Sequence, residues 1–198
     1  METSPHLQLK LGYFNINGLV GETTFNPDFL EIIKEYDIII LTETWHKDAE
    51  CIKKIKGNFP KDYKFIENAR KKKHKKSKRN SGGILVCYKK CLHKSIITLD
   101  KTSENMIWLK LKKEYLNTDK NIIIGGIYNS PINSTYTKSN EHDIFEIIQE
   151  KILTFSNNDY VLLGGDFNAR VGKMQDFIDE EGEDIDFLNL PRNYKIDK

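Results

Sequence analysis

The chain has 198 residues, of which 38% are hydrophobic and 30% charged, as is ordinary for a globular protein with one sizeable core. No run approaches the roughly 18 apolar residues of a membrane-spanning helix, and no long apolar segment follows the start, so we expect an intracellular chain that is neither membrane-bound nor secreted. Residues 70–79 carry eight positive charges, and removing them from the net charge of +2 leaves −6 for the rest.

Short apolar runs between polar turns predict the strands of this chain. In chain order, the predicted strands are residues 7–13, 38–41, 63–66, 84–88, 106–111, 122–128 and 160–163. The first alternates apolar and polar side chains, as in a strand with one buried face, whereas the second is continuously apolar, as in a fully buried strand. A polar hairpin around residues 117–119 is predicted to join the fifth and sixth strands.

Three helices are predicted between the strands, over residues 26–36, 48–57 and 140–155. Asn26 and Pro27 are typical of the cap and the first turn of the first helix. The third helix has the clearest apolar stripe, and Ser139 or Asn140 is predicted to cap it. Helices that connect a larger number of strands predict an α/β or α+β class, with sheets and helices in layers.

Three cysteines, Cys51, Cys87 and Cys91, occur in the chain. An odd number in a chain of this length predicts a reduced, intracellular protein and not a disulfide scaffold. Cys87 and Cys91 have no second Cys or His pair nearby, so they do not indicate a zinc site.

Polar side chains follow four of the predicted strands. They are Asn15, Glu43, Tyr128, Asp166 and Asn168. Strand ends in layered sheets can converge on one edge, which is a natural location for a site. Carboxylate and amide oxygens suit Mg²⁺, with Mn²⁺ as the alternative ion, and a bound cation would neutralise phosphate charge.

Each of these residues also has a purely structural interpretation. Asp166 and Asn168, which follow two glycines, could be the polar residues of an ordinary turn. Asn15 and Asn17 are suited to form the turn before Gly18, and Glu43 could cap the next segment. Tyr128 alone is more typical of a packed aromatic. Taken one at a time, these residues do not decide between a structural and a functional role, and both alternatives stay open.

Five short motifs occur in a fixed order along the chain. They are NINGL (15–19), LTETW (41–45), SGGI (81–84), YNSP (128–131) and GDFNA (165–169). This ordered set resembles the endonuclease/exonuclease/phosphatase superfamily, and residues 166–172 are most similar to the endonuclease domain of non-LTR retrotransposons. The resemblance spans residues 7–172. It implies a four-layer sandwich in which helices flank two mainly antiparallel sheets.

The resemblance also implies a role for each residue of the polar set. Glu43 would hold the magnesium ion, with Asn15 close by in the metal and phosphate network. Asp166 would orient or deprotonate the attacking water, and Asn168 would hold the scissile phosphate or that water. Tyr128 would hydrogen-bond the phosphate and help with transition-state charge.

Nucleic acid, with DNA first, is the partner that the resemblance implies. The basic run at 70–79 fits phosphate binding, but it also matches a nuclear-localisation signal or a solvated loop, and all three stay open. Asn17 is a weaker candidate for nucleic-acid contact. The lysines assigned to this weak binding set are Lys71, Lys72, Lys73, Lys75 and Lys76.

The chain departs from the family pattern after Asn168. Family members continue with further strands, a later Asp and a closing Ser-Asp-His, whereas only 30 of the 198 residues follow Asn168 here and none spells that triplet. We therefore expect a domain over 1–172 that is incomplete at its C-terminal end, an acidic and poorly ordered tail over 173–198, and little or no activity. Three functions stay open: a DNA-nicking endonuclease, a phosphatase or deadenylase of the same superfamily, and a non-catalytic nucleic-acid-binding remnant.

Overall fold

A computed structural model describes residues 8–19, 26–70, 81–131 and 143–168. In these ranges the chain forms eight strands, β1 (Leu11–Asn15), β2 (Ile38–Thr42), β3 (Tyr63–Asn68), β4 (Ile84–Lys89), β5 (Ile96–Asp100), β6 (Met106–Leu111), β7 (Ile122–Tyr128) and β8 (Tyr160–Asp166). The helices are α1 (Pro27–Lys34), α2 (Ala49–Ile55), α3 (Lys113–Leu116) and α4 (Ile144–Phe155). None of these helices has the length and apolar character that crossing a membrane requires. The predicted boundary at 172/173 lies outside the described residues.

The strands pair into two mixed sheets of four strands each. The first sheet has the order β1-β2-β4-β3 and the second has the order β5-β6-β7-β8. Each sheet contains one parallel pair, β1 with β2 and β7 with β8, and its other pairs are antiparallel. The edge strands β1 and β8 contact each other across the two sheets. The predicted pair of mainly antiparallel sheets is confirmed.

Three apolar clusters separate four layers of secondary structure. Strand β2 shows how one strand serves two of them, because successive side chains of a strand point to opposite faces. Ile38 and Ile40 pack in a cluster between the two sheets. Ile39 and Leu41 pack on the other face, in a cluster that includes α1 and α2. Ile148 of α4 packs in a third cluster against the second sheet. The predicted four-layer sandwich is therefore confirmed.

The helix caps explain where α1 and α4 begin. The Asn26 side chain accepts hydrogen bonds from backbone N–H groups of the first turn of α1, as predicted. Asp143 caps α4 by accepting a 2.9 Å bond from the Phe145 N–H, and its own backbone is extended. α4 therefore begins at Ile144, later than the predicted helix, and the predicted caps Ser139 and Asn140 lie outside the described residues.

Five strands differ from the prediction in length, β2, β3 and β4 by one or two residues each, and β5 was not predicted. β1 begins at Leu11, after residues 8–10, and β8 continues to Asp166. β5 was missed because Ile97 is exposed beside the partly buried Ile96, so its pattern is not a clean alternation. The predicted hairpin between β6 and β7 contains α3, which ends at Asn117 in the left-handed conformation with φ 53°.

Candidate active site

Both parallel strand pairs end at one rim of the sandwich, and polar side chains of the predicted set lie there. Asn15 ends β1 and is in register with Thr42, the residue before Glu43. Tyr128 ends β7 and is in register with Asp166, the last residue of β8. Since β1 and β8 contact each other, the ends of all four strands meet at one place.

Hydrogen bonds connect these side chains across the two sheets. Nδ2 of Asn15 donates to Oδ2 of Asp166 over 2.7 Å, and the Tyr128 hydroxyl donates to Oε1 of Glu43. The backbone N–H of Asn168 donates to Oδ1 of Asp166 over 3.0 Å. The five residues therefore form two hydrogen-bonded groups, which the strand pairing of Tyr128 with Asp166 joins into one site.

The Glu43 carboxylate is held by donors from several segments. Its Oε2 accepts bonds of 2.7 Å from Nε1 of Trp45 and 2.8 Å from the backbone N–H of Gly82. The backbone of Glu43 is left-handed, with φ 55°, a conformation that costs a non-glycine residue roughly 1–2 kcal/mol. Its carbonyl accepts a 2.7 Å bond from the N–H of Gly18. Such local strain is typical of functional sites, where the surrounding contacts over-determine the conformation.

Two glycines of the SGGI motif make room for this arrangement. Gly82 and Gly83 have φ values of 68° and 85°. A Cβ on Gly82 would lie 2.5 Å from Cζ of Arg70, and a Cβ on Gly83 would lie 2.7 Å from Oγ1 of Thr44. Any larger residue would therefore combine backbone strain with a steric clash next to Glu43.

The turn that carries Asn168 is fastened to the end of β7. Its left-handed backbone, with φ 43°, places Nδ2 of Asn168 2.7 Å from the carbonyl of Asn129. Asn129 in turn donates from its backbone to the carbonyl of Asp166 over 2.7 Å, and from its side chain to the carbonyl of Phe167 over 2.9 Å. These contacts fix the Asp166 and Asn168 side chains relative to each other.

The Tyr128 hydroxyl is a protonated donor in this site. Its side chain is buried. Burial raises the pKa of Tyr128 well above the ordinary tyrosine value, and the hydrogen bond and charge of Glu43 raise it further. The positive charge of Arg70 acts in the opposite direction but does not restore the ordinary pKa.

Other predicted candidates have different surroundings. Asn17 is exposed, and its backbone N–H donates to Oδ1 of Asn15 over 3.0 Å, so residues 15–17 also form the turn that the structural interpretation expected. His46, which was not a predicted candidate, is buried and contacts Thr44 and Glu67. Outside the described residues lie Lys71, Lys72, Lys73, Lys75 and Lys76.

Sequence reasoning missed several residues that hold the predicted ones. Trp45, Gly82 and Asn129 belong to motifs that were recognised, but their own contacts were not inferred. Arg70 was read as the first residue of a basic run, although its side chain is half-buried and reaches Asn105 at the start of β6. Three lysines follow it directly, so nothing in the pattern distinguishes it from a solvated charge.

The oxygen donors at this rim fit a divalent cation. Among the described residues, no three His, Cys, Asp or Glu side chains come together to hold a metal ion. The ligands that the resemblance implies are the Glu43 carboxylate and the amide oxygen of Asn15, with water in the remaining positions. The hydrogen bonds described above use three of about four lone-pair sites on the Glu43 carboxylate, which leaves a site on Oε1. Hard oxygen ligands of this kind and retained water suit Mg²⁺ or Mn²⁺.

Solved structures with the same fold include enzymes with different substrates. The chain aligns with an AP endonuclease from Leishmania major at a TM-score of 0.58 and 16% identity, covering 80% of this chain and 54% of that one. It aligns with an AP endonuclease from Archaeoglobus fulgidus at a TM-score of 0.54 and 15% identity, covering 82% of this chain and 58% of that one. With a mannosyl-6-phosphatase from Bacteroides thetaiotaomicron the TM-score is 0.53 and the identity 15%, and the alignment covers 81% of this chain and 66% of that one. The chain thus spans between about half and two thirds of these structures, and the likeness shows the fold.

Sequence comparison identifies the family. No curated protein sequence matches the chain. The model of the Endonuclease/Exonuclease/phosphatase family matches residues 12–185, which is most of the chain and includes every member of the polar set at the rim. The chain therefore belongs to the Endonuclease/Exonuclease/phosphatase family.

Proposed function

We propose that this protein is a Mg²⁺-dependent phosphodiesterase that nicks DNA, of the type found in non-LTR retrotransposons. The observation that supports this proposal is the convergence of five polar side chains from two sheets at one rim. They are Asn15, Glu43, Tyr128, Asp166 and Asn168. Members of the family hydrolyse phosphate monoesters or diesters, and this set provides the groups that such a reaction needs.

Glu43 and Asn15 would hold the cation. When bound, the cation supplies positive charge that offsets phosphate charge and makes a bound water more acidic. The donors from Trp45 and Gly82 fix the orientation of the Glu43 carboxylate, so that its Oε1 is presented in one direction.

Asp166 would orient the attacking water and accept its proton. Both of its oxygens already receive a hydrogen bond, from Asn15 and from the N–H of Asn168, which fixes the plane of the carboxylate. Each oxygen keeps a second lone pair, so one of them can accept the proton of a water. Asn168 has a second N–H on Nδ2 besides the one used by Asn129, and it would donate to a phosphate oxygen.

Tyr128 would donate a hydrogen bond to the phosphate. Its raised pKa keeps the hydroxyl protonated through the physiological range. When substrate is bound, the hydroxyl turns from Glu43 to a non-bridging phosphate oxygen. A donor aimed at charge that develops in the transition state lowers the barrier.

DNA is the proposed substrate because two independent resemblances agree on nucleases. Residues 166–172 are most similar to retrotransposon endonucleases, and two of the three structures described above are AP endonucleases. The mannosyl-6-phosphatase has a comparable TM-score, so a phosphatase is the second candidate. The two classes differ in whether a diester or a monoester is cleaved.

The test is nicking of supercoiled plasmid by the purified chain in Mg²⁺, beside hydrolysis of sugar-phosphate monoesters. We expect slow nicking that EDTA abolishes and that Asp166→Ala or Asn168→Ala reduces by about 10²- to 10⁴-fold. Glu150→Gln, an exposed position on α4, is the control and should keep the wild-type rate. Nicking that survives Asp166→Ala, or cleavage of monoesters alone, would contradict the proposal.

A further inference from the structure

The Arg70 guanidinium connects the two sheets beside the candidate site. Its Nη1 donates to Oγ of Ser81 over 3.2 Å, next to the start of β4 in the first sheet. Its Nη2 donates to Oδ1 of Asn105 over 2.9 Å and to Oγ of Ser130 over 3.0 Å, and both acceptors flank strands of the second sheet. A planar fork of N–H donors can meet three such acceptors at fixed angles, which a lysine ammonium cannot do.

The same guanidinium packs against two of the three groups that donate hydrogen bonds to the Glu43 carboxylate. Its Cζ lies 5.5 Å from the centroid of the Tyr128 ring, within the range of a cation–π contact. It also packs directly on Gly82, where a Cβ would come within 2.5 Å of Cζ. Tyr128 donates to Oε1 of Glu43, and the N–H of Gly82 donates to Oε2.

We propose that Arg70 is a positioning residue that holds Tyr128 and Gly82 in place, so that their donors converge on the two oxygens of Glu43. This inference rests on the proposed function, because it assigns Arg70 to the same site. Arg70 acts on the site through these two neighbours. Removing the Arg70 side chain should therefore displace the Tyr128 hydroxyl and the Gly82 N–H from the two oxygens of Glu43.

The first experiment is a double-mutant cycle on plasmid nicking by the full chain. Arg70→Met should lower kcat by about 10- to 100-fold and change KM little, because it disturbs groups that act in the transition state. In the Tyr128→Phe background the same substitution should cost much less, since the group it positions is already gone. Fully additive losses in the cycle, or a raised KM with unchanged kcat, would overturn the inference.

The second experiment does not depend on activity. It therefore tests the role of Arg70 even if the proposed function is wrong. Proteins with ¹³C-labelled tyrosine rings give one set of signals for Tyr128, assigned by its loss in Tyr128→Phe. We expect these signals to shift in Arg70→Met, and to keep their position in the control Lys94→Gln, which removes an exposed charge elsewhere. Unchanged Tyr128 signals in Arg70→Met would overturn the inference even if nicking were lost.

A conservative variant separates positioning from folding. Arg70→Lys keeps the charge near the Tyr128 ring but cannot reach Ser81, Asn105 and Ser130 together. We expect it to recover part of the kcat and to shift the Tyr128 signals less than Arg70→Met does. If Arg70→Met does not fold, the comparison of Arg70→Lys with the wild type decides the question. Identical kcat and identical Tyr128 signals in these two proteins would refute positioning by the Arg70 guanidinium.

Discussion

Nδ2 of Asn15 donates a 2.7 Å hydrogen bond to Oδ2 of Asp166, although 151 positions of sequence separate the two residues. Asn15 is the last residue of β1 in the first sheet, and Asp166 is the last residue of β8 in the second. The bond thus joins the edge strands of both sheets at the rim where the candidate site lies. It makes the geometry of the proposed base dependent on the packing of one sheet on the other.

Asn15→Ala removes the donor of this bond. Because a hydrogen bond to a charged acceptor is worth about 1.5–3 kcal/mol when protected and less when exposed, we expect the free energy of unfolding to fall by about 1 kcal/mol. Nicking should fall by about 10-fold or more, since Asp166 loses one of the contacts that orient it. Urea unfolding and the plasmid assay measure the two effects. Gln8→Ala, an exposed change just before β1, should alter neither quantity.

Glu43→Gln should weaken binding of Mn²⁺ by at least about 10-fold, measured from the EPR signal of the free ion. The substitution removes the negative charge and places an amide N–H₂ among the donors from Trp45, Gly82 and Tyr128, so one donor faces another. The matched control is Glu50→Gln, because Glu50 is exposed on α2 and forms a surface ion pair with Lys53. Equal Mn²⁺ affinity in both variants would remove Glu43 from the metal site.

Gly82→Ala should destabilise the fold, and Gly57→Ala should not. An alanine at φ 68° costs roughly 1–2 kcal/mol, and its Cβ would also meet the Arg70 guanidinium at 2.5 Å. We expect a loss of about 2 kcal/mol in the free energy of unfolding. Nothing lies within 4 Å of a Cβ on Gly57, so this control should be neutral or slightly stabilising. A similar result for the two variants in urea unfolding would contradict the close packing at Gly82.

The buried His46 predicts a loss of stability in mild acid. Burial lowers the pKa of His46, and the nearby Glu67 and Asp48 carboxylates only partly oppose this. Below the unfolded-state pKa of about 6.5, the unfolded chain binds a proton that the folded chain resists, so stability falls as pH falls. The slope is at most about 1.4 kcal/mol per pH unit and ends at the folded-state pKa.

Urea unfolding between pH 7 and pH 5 measures this slope. His46→Gln should flatten it in that window, whereas His93→Gln, at an exposed position, should leave it as in the wild type. An unchanged slope in His46→Gln would mean that another group is responsible.

The basic run predicts salt-dependent DNA binding. If the lysines at 71–73, 75 and 76 contact phosphates, each contact adds about 0.9 to the slope of log K against log salt for duplex DNA. Changing them together to glutamine should therefore reduce the slope and weaken binding equally for unrelated sequences. Fluorescence anisotropy at several salt concentrations measures both. Changing Lys53, Lys54 and Lys56 to glutamine is the control, and an equal reduction there would argue against a local phosphate contact.

Regular strands could be predicted because the pattern of apolar residues along the chain follows the pattern of buried side chains in the strand. The predicted bounds of β6 and β7 agree with the structure, since both are largely apolar runs, with Lys110 as the only charged residue, and a polar residue follows each of them. Asp143 shows where pattern reasoning fails, because several polar residues before α4 can cap it and the sequence does not rank them. β5 shows a second failure, since an edge strand with one exposed isoleucine lacks a clean period.

The candidate site could be predicted only in part. Motif order predicted Asn15, Glu43 and Asp166, which lie at one rim in the structure, because strand ends are visible in sequence. The contact of Arg70 with Tyr128 depends on how the two sheets stack, and no local pattern encodes that distance. Residues that position others are therefore harder to find than the residues they position.

The bond between Asn15 and Asp166 has a consequence for the timing of folding. A contact that closes so long a loop has a high entropic cost, and we expect it to form late, after the hairpins and the parallel pairs are in place. A nascent chain carries the Asn15 half of the candidate site long before it carries the Asp166 half. The candidate site is thus completed only when both sheets have been synthesised and have docked on each other.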